Sequence, residues 1–119
     1  EPEFGYAAAM EALEDRSITA LLVANDRVAM GAYQAAQTLG LSIPEDISIM
    51  SFDDEQLAEY LRPQVTTMRL PYLEMGKAGM DLLLQGIEPD GGVGESACEF
   101  EPVLIPMPLI ERGSVRVLR

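Results

Sequence analysis

The chain has 119 residues, 48% of them hydrophobic, which is enough apolar material for one compact core. Its formal net charge of -12 opposes the phosphate backbone of DNA or RNA, so this segment alone is not expected to bind nucleic acid. Histidine is absent, which removes the commonest general base, and the single cysteine, Cys98, excludes an internal disulfide and a paired-cysteine metal site. The expectation is therefore a protein that is not an enzyme, with no catalytic residue, metal or cofactor. The longest apolar runs, Ile18 to Ala24 and Val103 to Ile110, fall well short of the ~20 residues a membrane helix needs. No basic flank with a long apolar run follows Glu1, so that start reads as a cut and the protein as soluble and cytoplasmic.

Tyr6 to Leu13 has the composition of a helix, and the polar break Glu14 to Ser17 separates it from Ile18 to Ala24, which reads as a buried parallel strand. Asn25 and Asp26 offer capping oxygens to a helix whose apolar positions Val28, Ala32, Ala35, Ala36 and Leu39 recur at helical spacing until Gly40 supplies a left-handed stop. A return loop with Pro44 leads to a second strand, Ile47 to Phe52, ended by Asp53 and Asp54. Glu55 to Leu61 allows about two helical turns before Arg62-Pro63, and the β-branched run Val65 to Leu70 makes a third strand. Pro71 then opens a long helix with Leu73, Gly76, Met80, Leu83 and Ile87 on one stripe, which demands an apolar partner. The glycine-rich stretch Glu88 to Ser96 connects to extended chain from Ala97 to Ile110, which Pro102, Pro106 and Pro108 push to a sheet edge or a crossover.

This alternation predicts a Rossmann-like α/β fold, a parallel sheet flanked by helices, and such sheets bind ligands outside the carboxyl ends of their strands. Two of those ends carry polar pairs, Asn25-Asp26 and Asp53-Asp54. A carboxamide and a carboxylate at adjacent strand ends suit the neighbouring hydroxyls of a sugar or ribose. The same residue types are also the preferred helix N-caps, and the spacing alone leaves both uses open.

The segment Thr19 to Asp26 followed by Ala29-Met30-Gly31-Ala32, the loop and strand Gly40-Leu41 with Ile43 to Ile49, and Phe52-Asp53-Asp54 resemble the LacI/GalR family of transcription regulators. Pro63, Val65-Thr66-Thr67-Met68-Arg69, Pro71, Met75-Gly76, Leu82-Leu83, Pro106, Leu109 and Arg112-Gly113-Ser114 continue the likeness in order, from Gly5 to Ser114. The resemblance implies that residues 1-119 are a fragment of the type I periplasmic-binding-protein-like effector core: its C-terminal subdomain plus the crossover, helix and final strand of Val65 to Arg119. It further implies a small sugar-like or nucleoside-like effector, a homodimer, and DNA binding only through a helix-turn-helix outside this segment. By the same likeness Asn25 and Asp53 contact the effector, Asp26 and Asp54 serve as caps, and Met30, Tyr33 and Leu61 lie at the dimer interface.

One departure from the pattern is Ser51, where the family usually has glycine before Phe-Asp-Asp; a hydroxyl there is expected to alter the ligand geometry. Lys77, the only lysine, is expected to face solvent. Two other functions compete. A sugar-binding protein of a transport system shares the fold, and a Mg²⁺ site built from Asp26, Asp53 and Asp54 would suit a receiver-like or phosphatase-like domain. The long helix, finally, is expected either to fold back on its own sheet or to be covered by a second copy.

Overall fold

The computed structural model describes residues 1–87, 91, 92, 94 and 101–117. Over them run helix α1 (Pro2–Ala12), strand β1 (Ala20–Leu22), helix α2 (Asp26–Thr38), strand β2 (Ser48–Asp53), the single turn α3 (Leu57–Tyr60), strand β3 (Thr66–Arg69), helix α4 (Tyr72–Gln85) and strand β4 (Leu109–Ile110). The chain divides into two compact units, Glu1–Leu70 with Pro108–Arg119, and Pro71–Met107.

The first unit is an open four-stranded sheet in the order β1-β2-β3-β4, accompanied by α1, α2 and α3. β1, β2 and β3 are mutually parallel as expected, but β4 runs antiparallel to β3, with Thr67 opposite Ile110 and Met68 opposite Leu109. The sheet is therefore mixed at one edge. Pro106 and Pro108 explain why β4 lies there, since a residue without an N–H cannot occupy a central ladder.

The core is built mainly from small residues on α2. Ala29, Ala32, Ala35 and Ala36 are wholly buried, together with Ile47 and Ile49 around β2, Ala58 on α3 and Val65 before β3. Each fully buried aliphatic side chain such as Ile47 or Ile49 contributes roughly 1.5–3 kcal/mol. α1 lies against α2 at backbone distance. A Cβ added at Gly31 would sit 2.0 Å from the Pro2 carbonyl oxygen, and one at Gly5 would sit 2.3 Å from that of Val28. Two glycines thus set how near these helices come.

α2 begins and ends on the signals read from its sequence. Asn25 caps it, and at the far end Gly40 takes φ +70 while its N–H reaches the Gln37 carbonyl and that of Leu41 the Ala36 carbonyl. This is the Schellman arrangement, and it satisfies carbonyls that the last turn leaves open. Other elements differ from expectation. α1 starts at Pro2 rather than Tyr6, because proline at the first turn costs no hydrogen bond. β1 has three residues, with Ala20 and Leu22 exposed, so the run Ile18 to Ala24 is not a buried strand here. As an edge strand it has neighbours on one side only.

In the second unit, α4 holds no buried residue, and Leu73, Met80, Leu83 and Ile87 are each more than half exposed. Lys77 is exposed as expected. The expected extended run from Ala97 lies outside the described residues as far as Phe100, which includes Cys98.

Candidate ligand-binding site at the carboxyl rim of the sheet

β1 and β2 are parallel with Leu22 opposite Met50, and the Val23 N–H continues the ladder to the Met50 carbonyl at 2.9 Å. Asn25 follows Leu22, and Asp53 follows Met50, by the same number of residues, so both stand at one carboxyl rim. Asn25 has extended backbone, and its Oδ1 accepts the Val28 N–H at 2.9 Å. The capping use is thus real, while its carboxamide NH₂ has no partner among the described residues.

Asp53 is the unusual member of the rim. It ends β2 at φ 100, a region that costs a non-glycine residue about 1–3 kcal/mol, and Asp54 follows at φ 57. Its carbonyl accepts the Leu70 N–H at 3.3 Å, but its carboxylate takes no hydrogen bond or ion pair among the described residues. Partial burial pushes its carboxyl above the usual carboxylate range, and the negative charges of Asp26, Glu55 and Glu1 push the same way. A half-buried acceptor without donors, held in strained backbone, is suited to the hydroxyls of a bound molecule.

Asp26 is not a cap but a buried junction. It is wholly buried, and its Oδ1 accepts the Ser51 hydroxyl and, at 3.1 Å, the Thr67 hydroxyl, while its Oδ2 accepts the Glu55 N–H at 2.7 Å. One carboxylate therefore ties the start of α2 to β2, β3 and the turn before α3. Ser51 is wholly buried, and its hydroxyl donates to Asp26.

Nor is Asp54 a cap. Its Oδ2 accepts a hydrogen bond from Arg69 Nε at 2.7 Å, and Arg112 Nη2 lies 2.7 Å from its Oδ1, an ion pair not aligned as a hydrogen bond. Burial would raise its carboxyl, but the Arg69 hydrogen bond and the two guanidinium charges outweigh that and hold it below the usual range. Arg112 is itself largely buried, donates to the Val65 carbonyl at 3.1 Å, and lies 3.7 Å from Glu59. Next to it, the buried Ser114 hydroxyl donates to the Ile49 carbonyl at 2.6 Å and accepts the Thr66 N–H at 2.8 Å. The Arg112-Gly113-Ser114 run thereby pins the C-terminal segment across β2 and β3.

Of the three aspartates in the magnesium alternative, two are already committed to protein partners. Asp26 is occupied by three protein donors and Asp54 by two arginines, and the described residues contain no group of three His, Cys, Asp or Glu able to hold a metal. The sequence reading missed the roles of Asp26, Ser51, Thr67, Arg69 and Arg112. The usable signal was Arg112 in the Arg-Gly-Ser run, one of only 8 basic residues in a strongly acidic chain.

Met30, Tyr33 and Leu61 line one surface groove of about 610 Å³ together with Leu41, Ile43 and Pro63. Met30 and Leu61 are half-buried. Tyr33 is buried and its hydroxyl donates to the Pro63 carbonyl at 3.0 Å. Burial pushes its phenol up to about 12, with the Ser114 hydroxyl pulling weakly the other way.

Residues 1–115 match the model of the periplasmic binding protein-like domain. The chain is 42% identical over 110 residues to the HTH-type transcriptional regulator MalR of Streptomyces coelicolor, covering 92% of this chain and 30% of that protein. It is 44% identical over 85 residues to a lactose operon repressor of Rhizobium radiobacter, covering 70% of this chain and 74% of that sequence. Its fold matches a LacI family regulator from Enterococcus faecium solved with bound ribose, with a TM-score of 0.79 and 33% identity over all of this chain and 42% of that one. The chain belongs to the LacI/GalR family and carries its periplasmic-binding-protein-like domain over residues 1–115. It spans about a third of the length of the first curated relatives it matches. Those relatives are transcriptional regulators rather than enzymes, and no helix among the described residues is long and apolar enough to cross a membrane.

Proposed function

We propose that this chain is the C-terminal subdomain of a regulator's effector core, with the crossover, helix and final strand of residues 65–119, and that it receives a small sugar-like effector at its carboxyl rim. Asp53 accepts hydrogen bonds from effector hydroxyls, and the free NH₂ of Asn25 donates to a neighbouring oxygen. The observation that carries this reading is the Asp53 carboxylate, partly buried, in strained backbone and without a partner among the described residues. The ribose in the Enterococcus faecium relative supports a polyhydroxylated ligand; a nucleoside shares the same ribose chemistry. Met30, Tyr33 and Leu61 form the contact with a second copy, the groove they line being its seat. DNA is read by a different part of the whole, cytoplasmic protein, in keeping with the charge of -12 on this one.

The test is a melting-temperature panel on the full-length regulator with ribose, glucose, lactose, maltose and adenosine. The reading expects at least one to stabilise the fold in proportion to its occupancy, and that one to change operator affinity. A folded protein that no hydroxylated ligand stabilises would count against it.

A further inference from the structure

We infer that Asp54 withholds Arg69 from Asp53, keeping the rim carboxylate unpaired and free for a ligand. β2 and β3 are parallel, and Asp53 is the direct partner of Arg69. Side chains at paired positions of neighbouring strands project from the same face, and strands lie about 4.8 Å apart, so the sheet by itself sets Arg69 beside Asp53. An aspartate and an arginine at that spacing ordinarily form an ion pair.

They do not pair here. Arg69 Nε donates instead to Asp54 Oδ2 at 2.7 Å, and Asp53 is left with no cationic or hydrogen-bonding partner among the described residues. Two features make the diversion stable. Consecutive left-handed residues, φ 100 at Asp53 and φ 57 at Asp54, turn the chain out of the strand at this point. Arg112, anchored on the Val65 carbonyl, fixes the other Asp54 oxygen at 2.7 Å, leaving Oδ2 for Arg69. The groups that bear on Asp53 from its surroundings are then Asp26 on α2, Glu55 in the following turn and Glu1 ahead of α1, all acidic. Asp54 is a positioning residue: it acts by holding the cation that would otherwise occupy the acceptor.

The inference rests on the reading of Asp53 as an effector contact, and the experiment separates the two. The Asp53 carboxyl is titrated by NMR in the full-length protein labelled with ¹³C-aspartate, for the wild type, Asp54→Asn, Arg69→Gln and the double variant. Arg69→Gln is expected to raise the Asp53 midpoint far more in the Asp54→Asn background, where Arg69 has turned to Asp53, than in the wild type. An equal effect of Arg69→Gln in both backgrounds would overturn the inference. Should Asp54→Asn not fold, Arg69→Gln alone decides: a midpoint close to wild type supports it, and a large rise shows that Arg69 already serves Asp53. In parallel, affinity for the sugar giving the largest melting shift is measured. Asp54→Asn is expected to weaken it about tenfold and the double variant to recover most of that loss. A titration that behaves as expected beside an unchanged affinity would leave the role of Asp54 standing and dismiss Asp53 as an effector contact.

Discussion

Replacing Asp26 with alanine tests how the rim is supported. The substitution strands three donors, the hydroxyls of Ser51 and Thr67 and the N–H of Glu55, in a site that is wholly buried. Hydrogen bonds to a charged group contribute about 1.5–3 kcal/mol each. The hydroxyls can rotate toward other acceptors and water can enter the vacated space, so the sum is less than additive, and a loss of about 3–5 kcal/mol is expected. Against a typical total of about 5–15 kcal/mol, that is a large fraction. Asp26→Asn keeps the shape and one acceptor. Its carbonyl can serve the Glu55 N–H, which has no rotational freedom, while its NH₂ donates to hydroxyls that can turn to accept, so a loss of about 1–2 kcal/mol is expected. Urea titration followed by circular dichroism gives both values by linear extrapolation. An alanine variant within about 1 kcal/mol of wild type, or an asparagine variant as damaged as the alanine one, would refute the junction.

Gly31→Ala is expected to destabilise by about 1–3 kcal/mol, because its methyl meets the Pro2 and Tyr6 backbone of α1; in an open helix the same change would stabilise by about 1 kcal/mol, so the sign of the urea-derived difference decides. Asp54 has its carboxyl lowered from 3.8 in the folded state, so its contribution is present above that value and lost as pH falls through the folded one. Asp54→Asn should therefore flatten the acid side of a melting-temperature profile. Asp53 is raised from 3.8, so its contribution is present below that value and lost as pH rises through the folded one; Asp53→Asn should remove that loss and melt higher near neutrality. Sedimentation of residues 1–119 at micromolar concentration is expected to show association beyond a dimer through α4, which Leu83→Asp removes while leaving the contact of Met30, Tyr33 and Leu61 intact, since Leu73, Met80, Leu83 and Ile87 are each more than half exposed; a wild type no larger than a dimer would remove that expectation.

Local chemistry made much of the fold legible. Helix α2 follows its apolar spacing, its Asn25 cap and its Gly40 stop, and the prolines before Leu109 give away an edge strand. What stayed hidden depends on contacts distant in sequence. Asp26 looks like any capping residue until Ser51 and Thr67, 25 and 41 positions away, are brought onto it by β2 and β3. The same folding buries Ser51 and sends Arg69 to Asp54 instead of to its register partner. β1 misled for a related reason: an apolar run predicts burial only when something packs on both its faces, and here Ala20 and Leu22 are exposed. The candidate ligand residues Asn25 and Asp53 came from the family likeness, whereas the strain and missing partner that single out Asp53 appear only in three dimensions.

The most direct measurement is a calorimetric titration of the stabilising sugar into full-length wild type and Asp53→Ala, with operator affinity measured on both without sugar. The variant is expected to bind the sugar at least tenfold more weakly, a loss of about 1.4 kcal/mol or more, consistent with a hydrogen bond to a charged acceptor. Operator affinity is expected to be unchanged, since Asp53 is proposed to contact the effector and not DNA. Equal sugar affinity in the two proteins would contradict the claim that Asp53 is the effector's acceptor.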